Sequence, residues 1–350
     1  MGQKNTKKNR QKMEKLNINN QQNVYNNKMT NQQNVNKSKE NDLNINQKQI
    51  NNPYLKYLNS IKEHNDWIES VKIFPSGNII SVSDDCSIKI FDGLNYKILQ
   101  NMEYSHKEAI MNIYIKDENN FVTCSSDKNI NIWTKDNNKF ILKESIINGH
   151  NERITNLIYC SNNNIIACSD DSKMKIWELT NIKYQLLTTL TYSKRIHSLL
   201  LLEDKNILVS GGYEGTILWK IYEKGMNIEF IYYFKEAFCG CWNGLNRIDE
   251  DRIIVGGKIS LKVISIKEMN IIKSIDIPFR CNGIIIIKEK RMFLIGGWSK
   301  DIQIYRSDNY EYLTTIKNAH SEYIVGFCKL KNNLILSFSG DTTMKIWSLN

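Results

Sequence analysis

The residues best suited to chemistry crowd into one stretch, "CSDDSKMKIWEL" at 168–179. It sets Cys168, Ser169, Asp170 and Asp171 side by side, and His150 stands 21 residues before Asp171. A serine, a histidine and an acid are the parts of a catalytic triad, in which the acid orients the imidazole and the imidazole takes a proton from the hydroxyl. The same parts recur along the chain. His64, His106, His150 and His320 are each followed, 21 residues on, by Asp85, Asp127, Asp171 and Asp341. Ser83, Ser125, Ser169 and Ser339 stand two residues before these acids, and Phe91, Trp133, Trp177 and Trp347 six after them. Catalysis needs one such set. Four sets at fixed spacing are a structural device, a tetrad in which the Asp fixes the imidazole tautomer, the Ser hydroxyl closes the chain and the indole N–H supplies the last donor.

A repeated unit must carry these sets. The segments "ISVSDDCSIKIFD" (80–92), "VTCSSDKNINIWT" (122–134), "IACSDDSKMKIWE" (166–178) and "LSFSGDTTMKIWS" (336–348) align without gaps. Weaker copies are "LVSGGYEGTILWK" (208–220), "IIVGGKISLKVIS" (253–265) and "FLIGGWSKDIQIY" (293–305). Their anchor residues Phe91, Trp133, Trp177, Trp219, Val263, Tyr305 and Trp347 are 42, 44, 42, 44, 42 and 42 residues apart. Short β-branched runs between Gly, Ser, Asn and Asp clusters read as strands and tight turns, and no helical period is present.

In spacing, in the Gly149-His150 pair and in the "SDD…IKIWE" endings, residues 54–350 resemble the WD-repeat (WD40) β-propeller family, the family of the G-protein β subunit. The resemblance implies an all-β chain of seven four-stranded blades, each about 40–45 residues long. Only four anchors are Trp, and only Phe91 is followed by Asp. Blades four, five and six lack both His and Asp and carry "GGY", "GGK" and "GGW" turns, so packing alone is expected to hold them. The chain stops three residues after Trp347, which leaves blade seven without an outer strand. "LKYLNSI" (55–61) resembles the outer strands elsewhere and should close the ring, removing an open sheet edge.

The family resemblance also implies a platform for partners rather than an enzyme. The chain offers no Gly-rich phosphate loop, no HExxH and no nucleophile elbow. Its five His and eight Cys are scattered, so neither a metal nor another cofactor is expected, and the cysteines read as reduced thiols in the core. Partners of such propellers bind the face where the His-bearing loops and Asp-bearing turns emerge. Three positions per blade should point there. The first set includes Trp67, Arg153, Arg195, Arg280 and Tyr323; the second includes Glu69 and His197; the third includes Asp84, Asp170 and Trp298. Trp67, Arg153, Arg195, His197, Arg280, Trp298 and Tyr323 thus form a candidate partner-binding face. Forked arginine donors and flat aromatic area suit a protein segment with acidic or phosphorylated residues. A ribonucleoprotein subunit and a substrate receptor for ubiquitin ligation are the alternatives. Against the second, no Arg lies three residues after any anchor Trp.

The net charge of +10 is uneven: residues 1–53 hold nine Lys and one Arg against three acids, or +7, leaving +3 for the rest. Residues 1–53, rich in Asn, Gln and Lys, cannot bury enough surface to order themselves and are expected to be a disordered tail. "MGQKNTKK" fits the pattern for attaching myristate to Gly2, and the basic residues after it would supply the second membrane signal. These features place the protein in the cytoplasm, peripheral at a membrane, monomeric within a larger complex. The tail lacks interleaved aromatics, so nucleic acid is not an expected partner.

Overall fold

A computed structural model describes residues 52–350, apart from 182, 223–226 and 242 and the side chain of Asn332. Gly2 and the rest of the basic tail lie outside the described residues, as does Trp242, read from sequence as a core residue. Residues Asn52–Asn350 form one compact unit. It consists of seven four-stranded antiparallel sheets. Six are continuous in sequence, at 68–102, 110–146, 154–191, 196–234, 245–276 and 281–316. The seventh joins three strands within 324–349 to the strand Leu55–Ile61.

The strand pattern follows from burial. In blade one the second and third strands, "IISVS" and "IKIF", are buried at every position. The fourth, "ILQNM", is open to solvent along most of its length. Blades stack face to face, so inner strands need apolar residues on both sides, while the outer strand meets water. The anchor aromatics fill the gaps between sheets. Trp133 stacks on Phe121 at 5.9 Å, and Phe121 meets Phe140 edge-on at 5.0 Å.

Two local devices shape the face where the loops emerge. The first is the Asp turn. The residue after each repeated Asp has positive φ: Cys86 (64°), Lys128 (70°), Ser172 (62°) and Thr342 (67°). An L-residue in this region costs about 1–2 kcal/mol. The turn offsets it, because the carboxylate accepts the N–H two residues on, as Asp85 does from Ser87 at 2.9 Å and Asp171 from Lys173 at 3.0 Å. The second device is a β-bulge. The pairing of the first two strands slips between Ile68 and Ser70, Ile110 and Asn112, Ile154 and Asn156, Ile196 and Ser198, Cys281 and Gly283, and Ile324 and Gly326. Each slip leaves one extra residue that the bulge re-aims. These residues are Glu69, Met111, Thr155, His197, Asn282 and Val325, and all are buried.

The ring closes through Leu55–Ile61, which pairs antiparallel with Met344–Leu349 in the register Leu55 to Leu349, Tyr57 to Trp347 and Ile61 to Met344. Tyr57 meets Trp347 edge-on at 5.7 Å, and the Asn350 N–H donates to the Tyr54 carbonyl at 3.0 Å.

Candidate functional site

The recurring His and Asp do meet. His64, His106, His150 and His320 set Nδ1 at 2.8–3.0 Å from Asp85, Asp127, Asp171 and Asp341. The same carboxylate oxygen accepts the N–H of Asn65, Lys107, Asn151 or Ser321, so the Asp pins the loop that carries its His. Burial, the largest single influence, would raise these carboxyls, but the hydrogen bond and charge of the paired His and the backbone N–H donors together outweigh it and hold Asp127 and Asp171 at about 2. Asp85 and Asp341 are also held well below the usual range, burial again being outweighed by His64 with Ser87 and the Asn65 N–H, and by His320 with Thr343 and the Ser321 N–H.

The hydroxyl in the chain is not the expected one. His64 Nε2 meets Ser81, His106 Nε2 meets Thr123 and His320 Nε2 meets Ser337, at 2.7–2.8 Å. Trp133 and Trp347 donate to the same Thr123 and Ser337 oxygens at 2.9 Å. Ser83, Ser125, Ser169 and Ser339 instead accept the N–H of the Asp and donate to a loop carbonyl, as Ser83 does to Asp66 at 3.1 Å. The reason is the pleat: residues two apart share a face of the strand, and only the earlier one reaches the indole. The Phe91 ring has no N–H to donate, so blade one ends its chain at Ser81. In blade three Ala167 stands where the hydroxyl would be, and Trp177 meets His150 edge-on at 5.5 Å. Burial lowers the His150 pKa despite Asp171.

Blade four corrects the expectation that the weak blades lack a polar network. Tyr192 sits 27 residues before Trp219, in the His position. Its hydroxyl meets Ser210 at 3.1 Å, and Trp219 donates to the same oxygen at 2.8 Å. Within these chains His64, His106, His150 and His320 are buried between the sheets, and their hydrogen bonds hold the loops.

The loop face itself carries a belt of rings. Trp67 meets Tyr323 edge-on at 6.0 Å, and Tyr323 stacks on Trp298 at 5.4 Å. The Arg280 guanidinium lies 5.1 Å from the Trp298 ring and 5.8 Å from that of Tyr213. It donates to the Tyr213 hydroxyl at 3.2 Å and to the Gly240 carbonyl. Tyr213 meets His197 edge-on at 4.5 Å. His197 itself is only 3% exposed, so the bulge withdraws it from the surface on which regular strand spacing places it. Burial takes its pKa down to about 4, with Arg280, Arg153 and Arg195 adding to the effect against Asp170.

Arg153 and Arg195 are already engaged by an acid. Arg153 donates to Asp170 from Nη2 at 2.9 Å, and Arg195 stands 3.8 Å from the same carboxylate. On the blade-one side the buried Glu69 has a second acid, Asp84, as its neighbour. Burial, then the Asp84 charge, pushes Glu69 up to about 8; burial, then Asp66, takes Asp84 to about 6.

A cavity of about 430 Å³ opens beside Arg280, lined by Tyr213, Phe238, Lys258, Ile259 and Lys262 among others. Gly257 of one Gly-Gly turn lines it, together with Tyr213 and Lys258, which follow two such turns. A Cβ on Gly212 would lie 2.3 Å from the Arg195 carbonyl oxygen, and one on Gly297 1.9 Å from that of Arg280. The turns can therefore press down on the loops beneath and lift the next residue, Tyr213, Lys258 or Trp298, onto the face. Tyr213, Phe238 and Ile259 were not picked out from sequence, although the "GGY" and "GGK" motifs mark two of the three turns. A larger cavity, about 770 Å³, lies toward the far ends of the inner strands between Lys72, Asn112, Asn156 and Arg247. Arg247 there is held by Asp204 in a fork at 2.6 and 2.7 Å.

The thiols are unsuited to attack. Burial pushes Cys168, Cys239 and Cys241 up to about 12. Among the described residues no group of His, Cys, Asp and Glu could hold a metal ion.

Three segments, 55–92, 98–134 and 142–178, match the family model described as WD domain, G-beta repeat. No curated protein matches the chain. Each matched segment starts in the outer strand of one blade and ends with the third strand of the next. The repeat in sequence thus fastens neighbouring blades together.

Proposed function

We propose, from the premise that the chain is a WD-repeat β-propeller of seven blades, that it is a non-enzymatic scaffold whose loop face binds a protein segment bearing acidic or phosphorylated residues. Propellers with these repeats generally act as protein-interaction platforms. The observation that carries the finer reading is the belt from Trp67 through Tyr323, Trp298 and Arg280 to Tyr213. Trp298 keeps 52% of its surface exposed, although a tryptophan of this size gains most from burial. Arginine held between two rings presents its remaining donors with little side-chain freedom left to lose on binding. The test is affinity purification from native lysate with the tag at Asn350, comparing wild type with Trp298→Ala/Arg280→Gln. Loss of a bound protein in the variant supports the reading; an unchanged set of proteins overturns it.

The tail adds a second element. Myristate on Gly2 together with the adjacent Lys and Arg would tether the scaffold to the cytoplasmic face of a membrane. All eight cysteines are free thiols, in keeping with a reducing compartment. An intact-protein mass spectrum with an unmodified Gly2 overturns the tether and leaves the scaffold reading standing.

A further inference from the structure

We infer that the cavity between blades four, five and six is a docking pocket for a peptide in which one large apolar side chain is flanked by carboxylates. The inference rests on the scaffold reading and narrows it to one sector and one ligand chemistry. Three large aromatic or aliphatic side chains line the cavity and are left exposed: Tyr213 at 41%, Phe238 at 49% and Ile259 at 72%. Three large apolar residues converging on one concave site are costly to leave in water, at about 25 cal/mol per Å² of surface. A volume of about 430 Å³ exceeds one side chain and suits a short turn or extended segment carrying one.

The rim decides the charge of the occupant. Lys258, Lys262 and Arg280 stand around the opening against one acid, Glu236. Arg280 is fixed by Tyr213 on one side and Trp298 on the other, so its place at the mouth is set before any ligand arrives. Elsewhere on the face the balance differs. Asp170 engages Arg153 and Arg195, while Asp66, Glu69 and Asp84 crowd the blade-one side. The cationic mouth beside an apolar floor therefore occurs in the sector of the Gly-Gly turns. It is built by the turn residues that replace the His–Asp device.

The test is selection of a random 12-residue peptide library, displayed on phage, against the full chain held through its C-terminus. Selected sequences are then made as labelled peptides and titrated by fluorescence anisotropy. The expected consensus has one Leu, Ile, Phe or Trp with Asp or Glu within two positions. Phe238→Ser/Ile259→Ser should weaken these peptides by at least about tenfold. Lys258→Glu/Lys262→Glu should remove the preference for acids while leaving the apolar preference. Both pairs are on the surface, and unchanged melting temperatures would verify that the variants fold. A consensus without an apolar anchor, or affinity unchanged in Phe238→Ser/Ile259→Ser, overturns the pocket. If such peptides are instead lost on Trp67→Ser, the face binds partners through its other half: the scaffold reading survives and this inference falls. Failure to enrich any peptide also overturns it. The lysate comparison then decides the broader reading on its own.

Discussion

Trp298 of blade six and Tyr323 at the start of blade seven lie parallel, with ring centres 5.4 Å apart and planes tilted by 6°. The pair spans the boundary between two blades on the loop face. Trp67, from the loop that opens blade one, completes the cluster and leaves no room for a side chain at Gly340, where a Cβ would lie 2.9 Å from its indole. Stacking of this kind contributes about 0.5–1.5 kcal/mol beyond area burial. With half of Trp298 already in water, Trp298→Ala should cost no more than about 1–2 kcal/mol by thermal denaturation. Its loss of partner binding should be far larger than that. A collapse of stability without a selective loss of binding would assign the belt to the fold alone.

The hydroxyl between His and Trp offers a gain and a loss from one position. Thr123 and Ser337 each satisfy a buried imidazole nitrogen and a buried indole N–H. Thr123→Ala or Ser337→Ala should orphan two groups and cost about 2–6 kcal/mol, at about 1–3 kcal/mol each. Ala167 occupies the matching place in blade three, fully buried opposite Lys175, as Ser81 is opposite Lys89. Ala167→Ser should therefore stabilise the protein by about 0.5–1.5 kcal/mol, through one hydroxyl placed between His150 and Trp177. Denaturant titration measures both. An Ala167→Ser variant less stable than wild type would show that the core at blade three has closed over the missing oxygen.

The period, the His–Asp pairs and the closing strand were legible in the sequence because each is a matter of spacing, which the propeller keeps nearly constant. The hydroxyl was misplaced for a physical reason. Ser83, Ser125, Ser169 and Ser339 are invariant among the four copies because a tight turn needs them, whereas the true relay position varies as Ser81, Thr123, Ala167 and Ser337. His197 was put on the surface because counting along a strand assumes regular pleating, and a one-residue bulge turns a side chain to the other side. Tyr192 went unnoticed because a phenol replaces the imidazole. Phe238 and Ile259 come from separate loops, and nothing local in either loop marks them as neighbours.

Two sets of carboxyls give opposite dependences on pH. The four Asp paired with His64, His106, His150 and His320 have folded pKa values below their ordinary 3.8, as with Asp127 at about 2. Their stabilisation is fully present above about pH 4 and is lost as pH falls toward 2. Glu69 is raised from an ordinary 4.5 to about 8. Its unfolded form ionises above about pH 4.5 while the folded form holds its proton, so stability is lost as pH rises from there to about 8. Glu69→Gln keeps the shape and cannot ionise. Its melting temperature relative to wild type should climb between pH 5 and pH 8 and then level off, by roughly 2–4 °C for each kcal/mol relieved. A constant difference across that range would mean that Glu69 is ionised in the folded protein.

The closing strand sets the final prediction. Leu55 and Ile61 are buried, and each contributes about 1.5–3 kcal/mol of transfer free energy. Their strand also covers Trp347 and pairs the edge of Met344–Leu349, whose N–H and C=O groups would otherwise face solvent. Because the two ends of the chain meet in one sheet, cutting the strand opens the ring as well as removing its own contacts. A chain starting at Lys62 should therefore lose well over about 3 kcal/mol and aggregate through the exposed edge. A chain starting at Asn52 keeps the strand and the cap that Asn52 gives to the Tyr54 and Leu55 N–H groups at 2.9 and 3.0 Å. It should melt within a few degrees of the full chain. Differential scanning calorimetry of the two truncations decides it: equal melting temperatures would mean that three strands suffice for blade seven and that the ring does not depend on this pairing.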